Sequence, residues 1–396
     1  MSEWKEYKLG EVADVQTGPF GSQLHQSDYV AYGIPSIMPV NIGNRLDIIT
    51  DKIVYVSEED ADRLKKYRVK EGDIVYSRRG DVEKCAYIGT KENGWLCGTG
   101  CLRIRIDMTM AHPRFVAYYL STEEVKSWIS NNAVGTTMPN LNSGILQCVD
   151  MLLPPIDEQK RIAGVLSSLD DKIDLLNREN ATLEALAETL FRHYFIEKTD
   201  PTWKEGKVSD IAIHCKESIS PQKHSDEIFL HYSIPAYDNG KCPTEEQGQY
   251  IQSNKYVIPQ KSILFSKLNP HKDKRVWLML DDVQTNAICS TEFQIVKPQN
   301  DQWLYFLYEW LTYKENYDEI ASGVSGTSGS HQRIDPKVIF ENECPIVDDS
   351  TIEQYNAKVK PLFEKIKTNQ QQILSLTAQR DTLLPRIMIG EVKINE

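Results

Sequence analysis

Two long stretches of the chain carry apolar residues at spacings that alternate between four and three. In the first, from Asp157 to about Lys198, the positions are Ile162, Leu166, Leu169, Ile173, Leu176, Asn180, Leu183, Ala187, Leu190 and Tyr194. In the second, residues 352 to 387, they are Ile352, Tyr355, Val359, Leu362, Ile366, Asn369, Ile373, Leu376, Arg380 and Leu383. This is the seam of a coiled coil. Pro154-Pro155 stop any helix upstream of the first stretch, and Asp157 is expected to cap it. Gly164 is the only glycine in that stretch, which contains no proline. About forty residues rising 1.5 Å each predict a rod of about 60 Å.

The two stretches align with each other. Lys172-Ile173 matches Lys365-Ile366, and Thr189-Leu190 matches Thr382-Leu383, at one offset. Glu158-Gln159 matches Glu353-Gln354 at an offset two residues longer, which predicts an insertion near Pro361 and a kink or restart there. Each seam has one asparagine near its middle, Asn180 and Asn369. Antiparallel pairing with these two opposite each other puts Leu183 on Ile366, Leu176 on Ile373, Ile173 on Leu376 and Tyr194 on Tyr355. It leaves Leu169 facing Arg380 as the one poor layer. A buried asparagine pair fixes register at some cost in stability. Two unrelated amphipathic helices in separate cores would give the seams without this shared register.

The repetition extends beyond the helices, and repeats decide the fold when present. Trp4-Lys5-Glu6 matches Trp203-Lys204-Glu205, and Lys8 to Val12 matches Lys207 to Ile211. The strand-like Asp73 to Arg78 has a counterpart in Ser262 to Lys267, and Leu102 to Ile106 in Glu292 to Val296. Each half then has an aromatic-rich helix (Pro113 to Ser130, Gln302 to Ile320), a Gly-Thr loop, a strand and the long helix. The architecture is globule, rod, globule, rod. The strand-rich middles and Gly, Asn and Pro loops predict an α+β chain with two α/β globules of roughly 150 residues. Leu383-Leu384-Pro385-Arg386 is expected to stop the second rod, with Ile389 to Val392 a short strand-like tail.

Composition adds limits. The chain has 396 residues, 40% apolar and 26% charged, as in ordinary globular proteins. It has no run of eighteen apolar residues and no apolar segment near the N-terminus, so neither a membrane span nor a secretory leader is expected. The eight cysteines are scattered without a Cys-x-x-Cys pair, which suits reduced thiols in the cytoplasm and no metal site. Cys97 and Cys101 read as core residues, and His193 as a helix-end packing residue. The formal charge of -12 argues against a surface coated in nucleic acid, but allows basic clefts on an acidic body.

Antiparallel rods within a repeat make an approximate two-fold axis. They place two heads on one side, about 50–60 Å apart, or roughly fifteen base pairs of duplex. At this point the sequence resembles the specificity subunits of type I restriction-modification systems. The resemblance rests on Leu153-Pro154-Pro155-Ile156-Asp157-Glu158-Gln159-Lys160-Arg161-Ile162 and Leu169-Asp170-Asp171-Lys172-Ile173. It rests equally on Arg380-Asp381-Thr382-Leu383-Leu384-Pro385-Arg386-Ile387-Met388 with Gly390-Glu391-Val392. The start of the second rod, Pro345 to Ser350, departs from the pattern: it lacks the double proline. The resemblance implies target recognition domains at 1–155 and 201–347, separated and followed by conserved helices at 156–200 and 348–396. The helices would pair as an antiparallel coiled coil with internal pseudo-two-fold symmetry.

The resemblance also implies a chain without an active site, in which each domain reads one half of a bipartite double-stranded DNA target. The rods would set the gap and dock two methyltransferase subunits, with restriction subunits joining the full complex. S-adenosylmethionine, ATP and Mg would sit on those partners and no cofactor on this chain. The sequence agrees in having no amino-methyltransferase Asp/Asn-Pro-Pro-Tyr/Phe motif, Walker A loop or convincing dinucleotide loop. Three alternatives stay open: an enzyme with a degenerate motif, a related bipartite system with fused restriction and methylation, and a two-headed protein-binding scaffold.

Base readout needs donor and acceptor side chains on loops or helix ends. In the first domain the candidates are Ser22, Gln23 and His25 in a Gly-hinged loop, Arg78 and Arg79 past a strand end, and Thr136 and Thr137. Solvated turns, with Arg78 or Arg79 paired to Asp81 or Glu83, are the plainer explanation. In the second domain the candidates are Lys267, Asn269, Lys272, Lys274 and Arg275, then Ser330, His331 and Arg333. Lys272 and Lys274 suit phosphates. Loss of His331 or Arg333 should relax specificity by roughly 1–3 kcal/mol per base contact.

Overall fold

The computed structural model describes residues 4–135, 139–325 and 332–393. They form two compact units, Met1–Leu175 with Ser375–Glu396, and Leu176–Leu374. Each long helix is divided between the two.

In the first unit, Lys5–Lys8 pairs antiparallel with Asp150–Leu153, the strand that leads into the first long helix. An antiparallel sheet follows, in the order Ala13–Thr17, Cys101–Ile106, Ile74–Ser77, Cys85–Tyr87. Its middle strand reads as an unbroken apolar run because both faces are covered: Ile74, Val75 and Tyr76 are wholly buried. A second sheet has the order Tyr29–Val30, Val54–Val56, Ile34–Ile37, Leu96–Cys97, the last pair parallel.

The second unit repeats the first two of these features. Lys204–Lys207 pairs with Glu343–Ile346. The main sheet runs Ala212–Cys215, Phe293–Pro298, Ser262–Ser266, Val276–Met279, the same order of equivalent strands. The other sheet differs: it has five strands, Ser218–Ile219, Lys255–Val257, Ala287–Ser290, Ile228–Tyr232, Thr244–Gln247. The repeat therefore keeps the sheet that backs onto the rods and varies the other.

The first long helix spans Ile156–Phe191 and the second Asp349–Met388. In the first unit, Ile162, Leu166, Ile387 and Met388 share a core with Ile74 and Ile104 of the main sheet. Gln159, 1% exposed, fixes the head of the first helix. Its amide donates to the Pro154 carbonyl at 2.8 Å, and its Oε1 accepts from the His112 N–H at 2.8 Å. Arg380 fills its layer by pairing with Asp170 at 2.9 Å, and Asp170 also accepts from the Tyr118 hydroxyl at 2.6 Å. In the second unit, Ala187, Phe191, Phe195, Tyr355 and Val359 pack into a core with Phe306 and Trp310. Asn369 is fully buried and donates Nδ2 to both Asn180 Oδ1 and Glu179 Oε2 at 2.9 Å. Tyr194 meets Tyr355 at 5.8 Å between ring centroids, so the helices run antiparallel through this unit.

Several sequence expectations are corrected. No restart occurs at Pro361; the helix is unbroken there, held by buried Val359 and Phe363 on either side. Pro385 does not stop the second helix, which continues to Met388 because Ile387 and Met388 are buried in the first unit's core. The tail is a turn, not a strand: Gly390 adopts φ +74° and its N–H bonds the Ile387 carbonyl at 3.0 Å. Asp157 lies inside the first turn rather than capping it, since the Pro155 carbonyl already accepts from Glu158 and Gln159. The α-helix gives way at Arg192–Glu197 to a π-helical turn that keeps Phe195 in the core. Each aromatic helix is two: Pro113–Leu120 and Glu123–Asn132, Leu304–Thr312 and Lys314–Ser322. Thr122 and Tyr313 are extended at the breaks, and the new first turn carries Glu123 and Glu124 in one case and Glu315 in the other.

Candidate nucleic-acid interface

In both units the main sheet's middle strand ends in a polar loop, and the chain returns to that loop from far along the sequence. In the first unit, the Arg78 N–H bonds the Gly100 carbonyl at 2.8 Å and the Arg78 carbonyl accepts from the Leu141 N–H at 2.8 Å. Arg79 forms a β-bridge with Asn140. In the second unit, the Lys267 N–H bonds the Glu292 carbonyl at 2.9 Å and the Lys267 carbonyl accepts from the Ile334 N–H at 3.0 Å. Leu268 bridges to Arg333. Asn269, at φ +47°, is a residue type that tolerates this conformation, and its Oδ1 accepts from the Gln332 N–H at 3.0 Å. Two stretches that look unrelated in sequence thus form one surface in each unit.

The third loop of the first unit joins the same surface. Gly18 bonds the Cys101 carbonyl at 2.9 Å, and a Cβ there would fall 2.4 Å from the Gly98 oxygen, so only glycine fits. Beyond it, Phe20 lies under the Arg78 guanidinium, 5.4 Å from its ring centroid. Ser22 and His25 are exposed. Gln23 is turned inward: its Oε1 accepts from the Tyr67 hydroxyl at 2.7 Å, and its carbonyl accepts from Arg63 at 2.9 Å. Thr136, Thr137, Ser330 and His331 lie outside the described residues.

The two surfaces differ in charge. Among the described residues, no carboxylate pairs with Arg78 or Arg79. Asp81 goes to Lys84 at 3.2 Å and Glu83 to the Ser130 hydroxyl. Burial and the neighbouring Arg79 both push the Arg78 guanidinium pKa down. In the second unit the cations are engaged. Arg275 is bidentate to Asp238 at 2.6 and 2.9 Å and also reaches Asp273 at 2.9 Å. Its side chain is 11% exposed. Arg333 is bidentate to Glu292 at 2.9 Å. Lys274 donates to the Thr312 carbonyl at 2.8 Å. Lys272 is exposed and Lys267 half-buried. Sequence reasoning did not find Phe20, Glu292 or Asp238. An aromatic in the Gly-Pro-Phe-Gly loop was a usable signal for the first. Asp238 lies 37 residues from Arg275 and Glu292 lies 41 from Arg333, beyond any local pattern, whereas the other partner of Arg275, Asp273, is two residues away.

Cys97 and Cys101 are wholly buried, and burial raises the Cys97 thiol to about 12. His193 sits within 3.7 Å of Glu197 at the helix end. Among the described residues, no group of three or more His, Cys, Asp or Glu is placed to hold a metal. Among them, no helix is long and apolar enough to cross a membrane.

Comparison with known proteins gives one answer. The type I restriction modification DNA specificity domain matches residues 1–185. The chain is 25% identical to the type I restriction enzyme MjaIX specificity subunit of Methanocaldococcus jannaschii, over all of this chain and 94% of that one. It is 26% identical to the HindI specificity subunit of Haemophilus influenzae, over 99% of this chain and 100% of that one. The crystal structure of the type I S subunit from M. genitalium shares the fold, with a TM-score of 0.60 at 16% identity, covering 96% of this chain and 95% of that one. Repeat, rods and paired loops converge with these matches: residues 1–185 match the type I restriction modification DNA specificity domain, and over its whole length the chain is similar to specificity subunits of type I restriction enzymes.

Proposed function

We propose that each unit reads one half of a bipartite duplex DNA target through its paired loops. The long helices set the gap between the halves and dock two methyltransferase subunits, with restriction subunits completing the complex. The chain supplies recognition and no chemistry; S-adenosylmethionine, ATP and Mg belong to the partners. The observation that carries this reading is that one backbone arrangement recurs with different side chains. Arg78-Arg79 lies beside residues 139–141, and Lys267-Leu268-Asn269 beside residues 332–334. A shared frame with exchanged donors and acceptors is what two different half-sites require.

The test is the methylation pattern of a naive bacterial host expressing this chain with its methyltransferase subunit. Two short half-sites with a fixed gap are expected, and replacing residues 203–345 should change one half only. Methylation at a compact, ungapped site would refute the two-headed reading. An assembled complex with no chain-dependent methylation would favour a scaffold.

A further inference from the structure

Arg78 has an unusual setting for a surface arginine. Its backbone is fixed on both sides, to Gly100 and Leu141. Its Nε is buried with no hydrogen-bond partner, and among the described residues no carboxylate meets the guanidinium. What holds the head group is the face of Phe20. That ring is 52% exposed, which no folding requirement explains. The loop beneath it is rigid. Gln23 and Leu24 donate to the Phe20 carbonyl at 2.8 and 3.2 Å, the Gln23 side chain is locked by Tyr67, and Leu24 is buried. A guanidinium held over an aromatic face by the ring quadrupole keeps less freedom than one in open solvent, and its outer nitrogens remain available to a ligand.

Resting on the recognition role proposed above, we infer that Phe20 is a positioning residue. It pre-sets the Arg78 fork for bidentate contact with guanine O6 and N7, so the half-site of the first unit contains a guanine read at this point. Arginine is the side chain that matches those two acceptors, and a fork already held over the Phe20 ring loses less freedom on binding. A flat aromatic platform alone would also suit phosphate contact. Phosphate contact, however, carries no sequence information, and this separates the two roles experimentally.

The experiment uses the assembled methyltransferase complex on a plasmid library randomised across both half-sites, with methylation read at every position. Arg78→Lys, which keeps the charge but removes the fork, should relax one guanine position of one half-site. Phe20→Ala should relax the same position by about tenfold, within the range one bidentate contact commands, and Phe20→Tyr should retain the discrimination. The double variant should be no worse than Arg78→Lys. Unchanged reading of the other half-site reports that the complex is intact. If Arg78→Lys relaxes the position and Phe20→Ala does not, the platform is refuted. A Phe20→Ala loss equal at all sequences refutes it too. If Arg78→Lys leaves every position unchanged, base readout by Arg78 fails first, and the platform with it.

Discussion

Replacing Asn369 with leucine removes two donated hydrogen bonds and turns an apolar side chain toward the Asn180 carboxamide, which is 8% exposed. A buried polar group left unpaired costs about 1–3 kcal/mol. The added apolar burial offsets part of that, so a net loss of about 1–2 kcal/mol is expected. Asn180→Leu should cost a similar amount, because Asn369 Oδ1 already has no partner and the remaining bond to Glu179 does not satisfy the group. Changing both residues removes every orphan at once. The double variant is therefore expected at or above the parent's stability, with a coupling energy of about 2 kcal/mol or more. With two units in the chain, a single unfolding free energy is not defined. The assay is the calorimetric transition of residues 176–374, where 1 kcal/mol moves the midpoint by about 2–4 °C. Losses that simply add, leaving the double variant below either single one, would refute the reasoning. Under the proposed function the double variant should also methylate sites of more than one gap length, because leucine layers tolerate shifted registers that an asparagine pair forbids.

Three further outcomes are expected. Asp170→Ala removes one of the two carboxylates of Arg380, which keeps Asp381 at 2.7 Å, and leaves the part-buried Tyr118 hydroxyl without its acceptor; it should cost about 1–3 kcal/mol, read as the urea midpoint of the first unit. Glu309 is 5% exposed, and burial, with Glu188 and Glu184 nearby, raises its pKa to about 8 against the pull of Lys274. A carboxyl whose folded pKa lies above its unfolded value binds more protons when folded, so stability should fall as pH rises from about 4.5 to about 8. Glu309→Gln should then raise the melting temperature of the second unit at pH 8–9, by an amount that vanishes below about pH 5. Arg275→Ala should destabilise the second unit by only about 1 kcal/mol, because its carboxylate partners Asp238 and Asp273 are half-exposed and return to water, whereas Arg79→Ala should leave melting unchanged and weaken methylation.

The long helices and their register were legible because seams repeat over forty positions and each carries a single asparagine. The repeat was legible because Trp4 and Trp203 mark equivalent strand starts. Helix ends were misread where burial overrode local signals: Pro385 sits among residues whose neighbours Ile387 and Met388 are needed in the core. The break at Tyr313 was hidden because the aromatic pattern continues across it. At the candidate interface, loop composition pointed to the right segments but could not separate free cations from engaged ones. Arg79 and Arg275 look alike in sequence, and only the return of Asp238 to Arg275 sets them apart.

The grip of Gln159 on the first unit uses no side chain but its own. One partner is the amide of residue 112 and the other the carbonyl of residue 154, groups present whatever amino acid stands there, apart from a proline at 112. Such a coupling is blind to the sequence of the body it holds. The rest of the seat is not blind in this way: Ile162 and Leu166 pack against Ile74 and Ile104, and Asp170 accepts from the Tyr118 hydroxyl, so exposed side chains of the domain can drift without loosening the helix while these core positions cannot.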